Sequence, residues 1–278
     1  MSCESAIDIV MASRIATFLC LLIQLTLAPC YAQDGDHVDQ DTPSAAAANN
    51  ALSRLDLGIE YVSQDGVDQA TIEAQFTQVF ATHHQVTMVA PLIDEGVNSS
   101  INMRAGDLQF GYSYTPGHAL SASPWVPSDV GIGIGLSIPT GDPSIGTGLG
   151  SYVLVPRLGF IKTFGSNFVI TPTIKYQYSF KEQSNGAEVR EWILAAGVTY
   201  VSPGTFWVQW IPTYLYASNL NDGAFGSTIV IGKLFTRHFG ISLDFTRAPT
   251  FTTSPDGATT DHANSYMLSF HVPFGYQQ

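Results

Sequence analysis

Phe239-Gly240-Ile241-Ser242-Leu243-Asp244-Phe245-Thr246 alternates without a fault between a large apolar side chain and a glycine, hydroxyl or carboxylate. Successive side chains of an extended chain point to opposite faces, so this stretch reads as a strand with one apolar and one small polar face. The next run keeps the scheme, with Tyr266, Leu268, Phe270, Val272 and Phe274 set against Met267, Ser269 and His271. Reading back toward the N-terminus, the pattern begins near Leu52. Leu55, Leu57, Ile59 and Tyr61 oppose Arg54, Asp56, Gly58 and Glu60, and Ile72, Ala74 and Phe76 oppose Thr71, Glu73, Gln75 and Thr77. Further runs centre on Val86–Leu92, Leu108–Tyr114, Val130–Ile138, Tyr152–Ile161, Phe168–Tyr178, Trp192–Tyr200, Phe206–Tyr216 and Ser227–Leu234, the last ambiguous in phase. The count is about twelve.

A soluble sandwich also alternates, but its outward face is charged. Here the second face is mostly Ser, Thr, Gly and Gln. Charged residues are 12% of the chain, against roughly 25% in a soluble domain, and no segment beyond the N-terminus is apolar for long enough to form a membrane helix. The connections alternate in length. Ser63–Ala70, Asp94–Ala105, Gly141–Ser151, Lys181–Glu188, Ser218–Ala224 and Pro249–His262 are long and polar, whereas Ala81–His83, Phe164–Asn167, Ser202–Gly204 and Thr236–Arg237 are tight. Thr115–Ser128 breaks this rhythm. Tyrosines such as Tyr61, Tyr112, Tyr114, Tyr176, Tyr178, Tyr200, Tyr214 and Tyr216 sit at run ends, where a ring enters lipid and its hydroxyl reaches the headgroups. These features predict an all-β, transmembrane, antiparallel up-and-down barrel of about twelve strands over residues 52–278.

The N-terminus predicts export. Arg14 supplies a positive region, Ile15–Leu27 an apolar core, and Cys30-Tyr31-Ala32 a small-residue cleavage site, giving a signal peptide over residues 1–32. Residues 33–51 lack periodicity and read as a flexible periplasmic leader. Cys3, Cys20 and Cys30 all precede the cleavage site, so disulfide, zinc–cysteine and thiol chemistry are excluded from the mature chain. A net charge of −12 argues against a nucleic-acid partner. The expected location is the bacterial outer membrane. The expected partners are its lipid, a small-molecule solute and the barrel-assembly machinery, which would read the aromatic pattern ending at Phe274. No cofactor or metal is expected, since His83 and His84 are adjacent and point apart on a strand.

The phases assign Arg54, Asp56, Glu60, Glu73, Asp107, Arg157, Lys175, Glu191 and Asp244 to the lumen face. Basic side chains among them would cost about 2–4 kcal/mol each in mid-bilayer lipid. Gly131, Gly133 and Gly135 share one face and leave room for something that packs or passes inside. Gly146-Thr147-Gly148-Leu149-Gly150 lacks the lysine and helix of a phosphate loop and reads as a plain loop. His262, Asn264 and Ser265 carry the residue types of an outer-membrane lipid hydrolase, without a readable geometry.

The segment Val130–Phe180, and within it Ile138-Pro139-Thr140-Gly141-Asp142 followed by a glycine-rich loop and a strand ending Tyr176-Gln177-Tyr178, resembles the outer-membrane transporter family named for the meta-cleavage pathway of phenol degradation. Pro139, Thr140, Gly141 and Asp142 are the most specific part. His84–Pro91 and Ala105–Leu108 are similar to that family's preceding strands. The resemblance implies an outer-membrane channel for small solutes, aromatic or hydrophobic compounds among them, and not an enzyme. The alternatives are a structural or surface-recognition barrel and, behind it, the lipid hydrolase.

Overall fold

A strand buried on neither side by protein survives only if its ladder closes, and the strands here close. The computed structural model describes residues 53–64, 67–80, 83–94, 102–116, 129–180, 188–236, 238–254 and 257–274. The expected signal peptide and leader and most of the 115–128 segment lie outside the described residues. Residues Gln40–Pro273 group as one unit, and Phe274 is the one described residue assigned to the other.

The strands are β1 (Ser53–Gln64), β2 (Val67–Phe80), β3 (His84–Asp94), β4 (Met103–Ala105), β5 (Leu108–Tyr114), β6 (Asp129–Ile138), β7 (Tyr152–Phe164), β8 (Phe168–Phe180), β9 (Arg190–Val201), β10 (Phe206–Ala217), β11 (Asp222–Thr236), β12 (Phe239–Ser254) and β13 (Gly257–Phe274). Strands adjacent in sequence pair antiparallel, except β4 and β5, and β1 lies beside β13. Strands β4 and β5 both pair with β3, at Leu92–Asp94 and His84–Val89 respectively. They share one position, so the closed ring has twelve.

Register fixes the faces. Leu55 lies opposite Phe76, Leu57 opposite Ala74 and Ile59 opposite Ile72, while Asp56 faces Gln75 and Glu60 faces Thr71. A slip by one residue would exchange the two sets. The apolar set is the exposed one: Ile132, Trp210 and Tyr266 are more than half exposed and Phe225 is 73% exposed. In water such a belt would be untenable, and against acyl chains it is the driving surface. The ambiguous run in β11 resolves with Phe225, Ile229, Ile231 and Phe235 outward. Rings pair across strands at both ends of the belt, as in Tyr176–Trp192 at 4.7 Å and Phe168–Tyr200 at 5.0 Å. The interior is inverted relative to a soluble protein: Thr77, Ser179, Ser242 and Ser269 are among its most buried residues.

Several of the expected long loops are shorter than the sequence suggests, and the Ser218–Ala224 connection, whose ladder reaches Ala217–Asp222, is the least affected. The β1–β2 ladder runs to Gln64–Val67, and the β12–β13 ladder to Ser254–Gly257. Apolar alternation ends where the chain leaves lipid, but backbone pairing does not depend on what bathes the side chains. Residues such as Thr250, Phe251, Thr252 and Thr253 favour extended chain in either medium.

Candidate functional site: the barrel interior

The interior has two unlike walls. The first is built by β12, β13, β1 and β2. His271 on β13 bridges its neighbours, with Nδ1 at 2.8 Å from Asp56 Oδ1 and Nε2 at 3.0 Å from Ser242 Oγ. Ser242 Oγ donates to Asp244 Oδ1 at 3.0 Å, Arg54 Nε donates to Asp56 Oδ2 at 2.6 Å, and Gln75 Nε2 donates to Asp56 Oδ2 at 3.4 Å. The Trp207 ring of β10 lies 5.8 Å from the His271 ring. It occupies space that a Cβ on Gly232 would fill. Further up this wall, Glu73 stands opposite Gly58, between the Asp56–Gln75 and Glu60–Thr71 pairs. Met267, paired with Asp244, covers Gly58.

The second wall lies across the ring, on β5 to β8. Arg157 faces Gly133 on one side and Lys175 on the other. Its side chain lies over Gly133, where any Cβ would collide with it, and its guanidinium approaches Gly111. Gly133 of β6 therefore makes room for an arginine of the barrel itself. Two cations directly opposite on neighbouring strands repel, and among the described residues neither forms an ion pair. Glu191 sits toward the outer end of β9, opposite Gln177.

Between the walls is a cavity of about 440 Å³, reaching from Gly131 and Gly159 on one side to Arg54 on the other. Thr171, Thr173, Thr199 and Gln209 give it a hydroxyl and amide flank, Val230 and Leu234 an aliphatic one, and Ser242, Asp244 and His271 a charged end.

Asp107 has another task. It accepts from Gly141 N at 3.0 Å and from Leu149 N at 2.7 Å, tying both arms of the 139–151 loop to the gap between β4 and β5. Thr140 Oγ1 accepts from Leu108 N at 3.0 Å and donates to the Gly106 carbonyl at 2.6 Å. Asp142 caps the short 3₁₀ turn Pro143–Ile145 by accepting from Ser144 N and Oγ. Those bonds hold its carboxyl below the usual range, aided by Arg104. Gly141 packs so closely on the Thr147 backbone that no other residue fits. The Pro139–Asp142 element is thus a loop clasp.

The hydrolase arrangement does not assemble. His262 shares its face with Asn264 and the outward Tyr266, whereas Ser265 alternates with them and shares the inward face of Met267. The His262 ring meets the Phe225 carbonyl instead. The Asp56–His271–Ser242 series has the connectivity of a catalytic triad. Its serine proton, however, is directed to Asp244, and that carboxylate would oppose the negative charge a nucleophile develops. His84 bonds the Tyr112 hydroxyl at 2.7 Å on the outer face, and no metal-binding group occurs among the described residues. Sequence reading placed His271 on the polar face but missed its network, and it passed over Trp207. The available signal was parity, since Trp207 shares its phase of β10 with Gln209 and Thr213 and opposes Phe206 and Trp210.

No family model matches the sequence, and no curated protein does. Solved structures do match. The chain is similar to the NanC porin at 13% identity and TM-score 0.56, covering 79% of this chain and 100% of that one. It is also similar to the KdgM porin at 7% identity and TM-score 0.54, covering 79% and 99%. Fold, closed ring and apolar belt together define the class: an outer-membrane β-barrel of porin-like architecture.

Proposed function

We propose that the protein is a channel for passive passage of small solutes across the bacterial outer membrane, exported by the 1–32 signal peptide. The observation that carries this reading is the open cavity between the walls, lined by hydroxyl, amide and charged groups beside aliphatic ones, inside a barrel whose exterior is apolar. Twelve strands fall between the roughly eight that side chains fill and the roughly sixteen that leave an aqueous channel, which suits small solutes. The resemblance of Pro139–Asp142 and its surroundings to the phenol-degradation transporter family supports small aromatic or hydrophobic compounds among them. The aliphatic flank of the cavity suits an apolar ring and the threonine flank a hydroxyl substituent. Arg54, Asp56, Glu60, Glu73, Arg157, Lys175, Glu191 and Asp244 are the lumen-lining groups in this reading. Their acidic excess gives a weak cation preference. Swelling of liposomes carrying the purified barrel tests permeation, and reversal potentials in planar bilayers test charge preference. Absence of both swelling and conductance would leave a structural barrel with surface-recognition loops.

A further inference from the structure

The bonds around His271 constrain its protonation. Nδ1 points at the Asp56 carboxylate, which can only accept. Nε2 points at Ser242 Oγ, whose own proton goes to Asp244. With a proton on both ring nitrogens every contact has one donor and one acceptor. Remove the Nε2 proton and the Ser242 hydroxyl must choose between His271 and Asp244. Remove the Nδ1 proton and a lone pair faces a carboxylate. With Asp56 and Asp244 both ionised, either neutral form spoils one link.

The place of this network gives the requirement a consequence. Asp56 belongs to the first strand and His271 to the last, so the imidazole spans the seam where the ring closes, and Ser242 extends the tie to β12. The charged groups facing it are Arg54 and Asp56 from β1 and Asp244 from β12, with Glu60 and Glu73 higher on β1 and β2. β10 contributes only the Trp207 ring. His271, Asp244 and Arg54 also line the cavity.

We infer that His271 is a proton-operated latch on the barrel seam: as the imidazolium it locks β1, β13 and β12 together and adds a positive charge to the cavity wall, and as the neutral ring it releases both. The second effect rests on the channel reading above; the first does not. Imidazoles change charge between about pH 5 and pH 8, so the test compares those limits. Losing one such link shifts the folded-to-unfolded ratio about 5- to 30-fold. The heat-modified gel transition of the wild-type barrel in detergent should therefore come at a higher temperature at pH 5 than at pH 8. His271→Gln should abolish this difference, and His84→Gln should leave it. Single-channel cation current should rise from pH 5 to pH 8 in the wild type and stay level in His271→Gln. Should that variant fail to fold, ¹⁵N-histidine spectra of the wild-type barrel decide, because the latch demands both ring nitrogens protonated at pH 5. A transition independent of pH, a pH difference that persists in His271→Gln, or a neutral ring at pH 5 overturns the proposal. A pH-dependent transition without any conductance keeps the latch and sinks the channel.

Discussion

The two walls of the lumen solve the same problem in opposite ways. On β12, β13 and β1 the charges of Arg54, Asp56 and Asp244 are joined through His271 and Ser242, and Asp56 by itself takes bonds from Arg54, Gln75 and His271. On β5 to β8 the wall is thinned to glycine, and Arg157 and Lys175 stand opposite each other with no acid between them. A bonded wall resists change through mutual satisfaction, and a thin wall through lack of space. The first should fail when a partner is removed, the second when an atom is added.

The sharpest test of that contrast is Asp56→Ala. It takes the carboxylate away from the His271 imidazole inside the barrel and removes one acceptor of Arg54, and should cost about 3–5 kcal/mol, read from urea unfolding in detergent. Gly133→Val attacks the other wall by addition. Displacing Arg157 should cost about 1–3 kcal/mol, while Gly135→Val, whose new Cβ would come no nearer than 3.4 Å to a neighbour, Val155, should cost distinctly less. Equal losses at the two glycines would refute the role given to Arg157. Neutralising the cations by Arg157→Gln with Lys175→Gln should raise the cation-to-anion permeability ratio by about twofold or more. Glu60→Gln with Glu73→Gln should lower it, and reversal potentials in a salt gradient distinguish the two. The smallest effect is expected outside the membrane. The Asp142 carboxyl is depressed by its bonds to Ser144 and by Arg104, so its contribution is present above the ordinary carboxylate range and lost as pH falls through the lower folded value. Protease protection of the 139–151 loop should weaken only at strongly acidic pH, and in Asp142→Asn it should weaken at neutral pH too.

How much of this was legible beforehand follows from what each feature depends on. The strand faces are local: Ile241, Leu243 and Phe245 against Ser242 and Asp244 need only alternation, and the barrel follows. Loop ends were less readable, because the ladder at Thr250–Thr253 continues on backbone bonds that side-chain polarity does not report. The lumen network was beyond reach, since His271 and Asp56 lie 215 residues apart and meet only because the ring closes. Asp107 shows a further limit. Its parity suggested a lumen charge, but two backbone N–H groups of a distant loop claim its carboxylate.

The uneven length of the strands has an outcome for the surface that the outside world meets. About 9–11 tilted residues suffice to cross the hydrocarbon, yet β12 has 16 and β13 has 18. The ladder of this hairpin continues to Ser254–Gly257, longer than a crossing of the hydrocarbon requires. Extension beyond the hydrocarbon therefore takes two forms on this barrel, a paired ribbon at β12 and β13 and a clasped loop after β6.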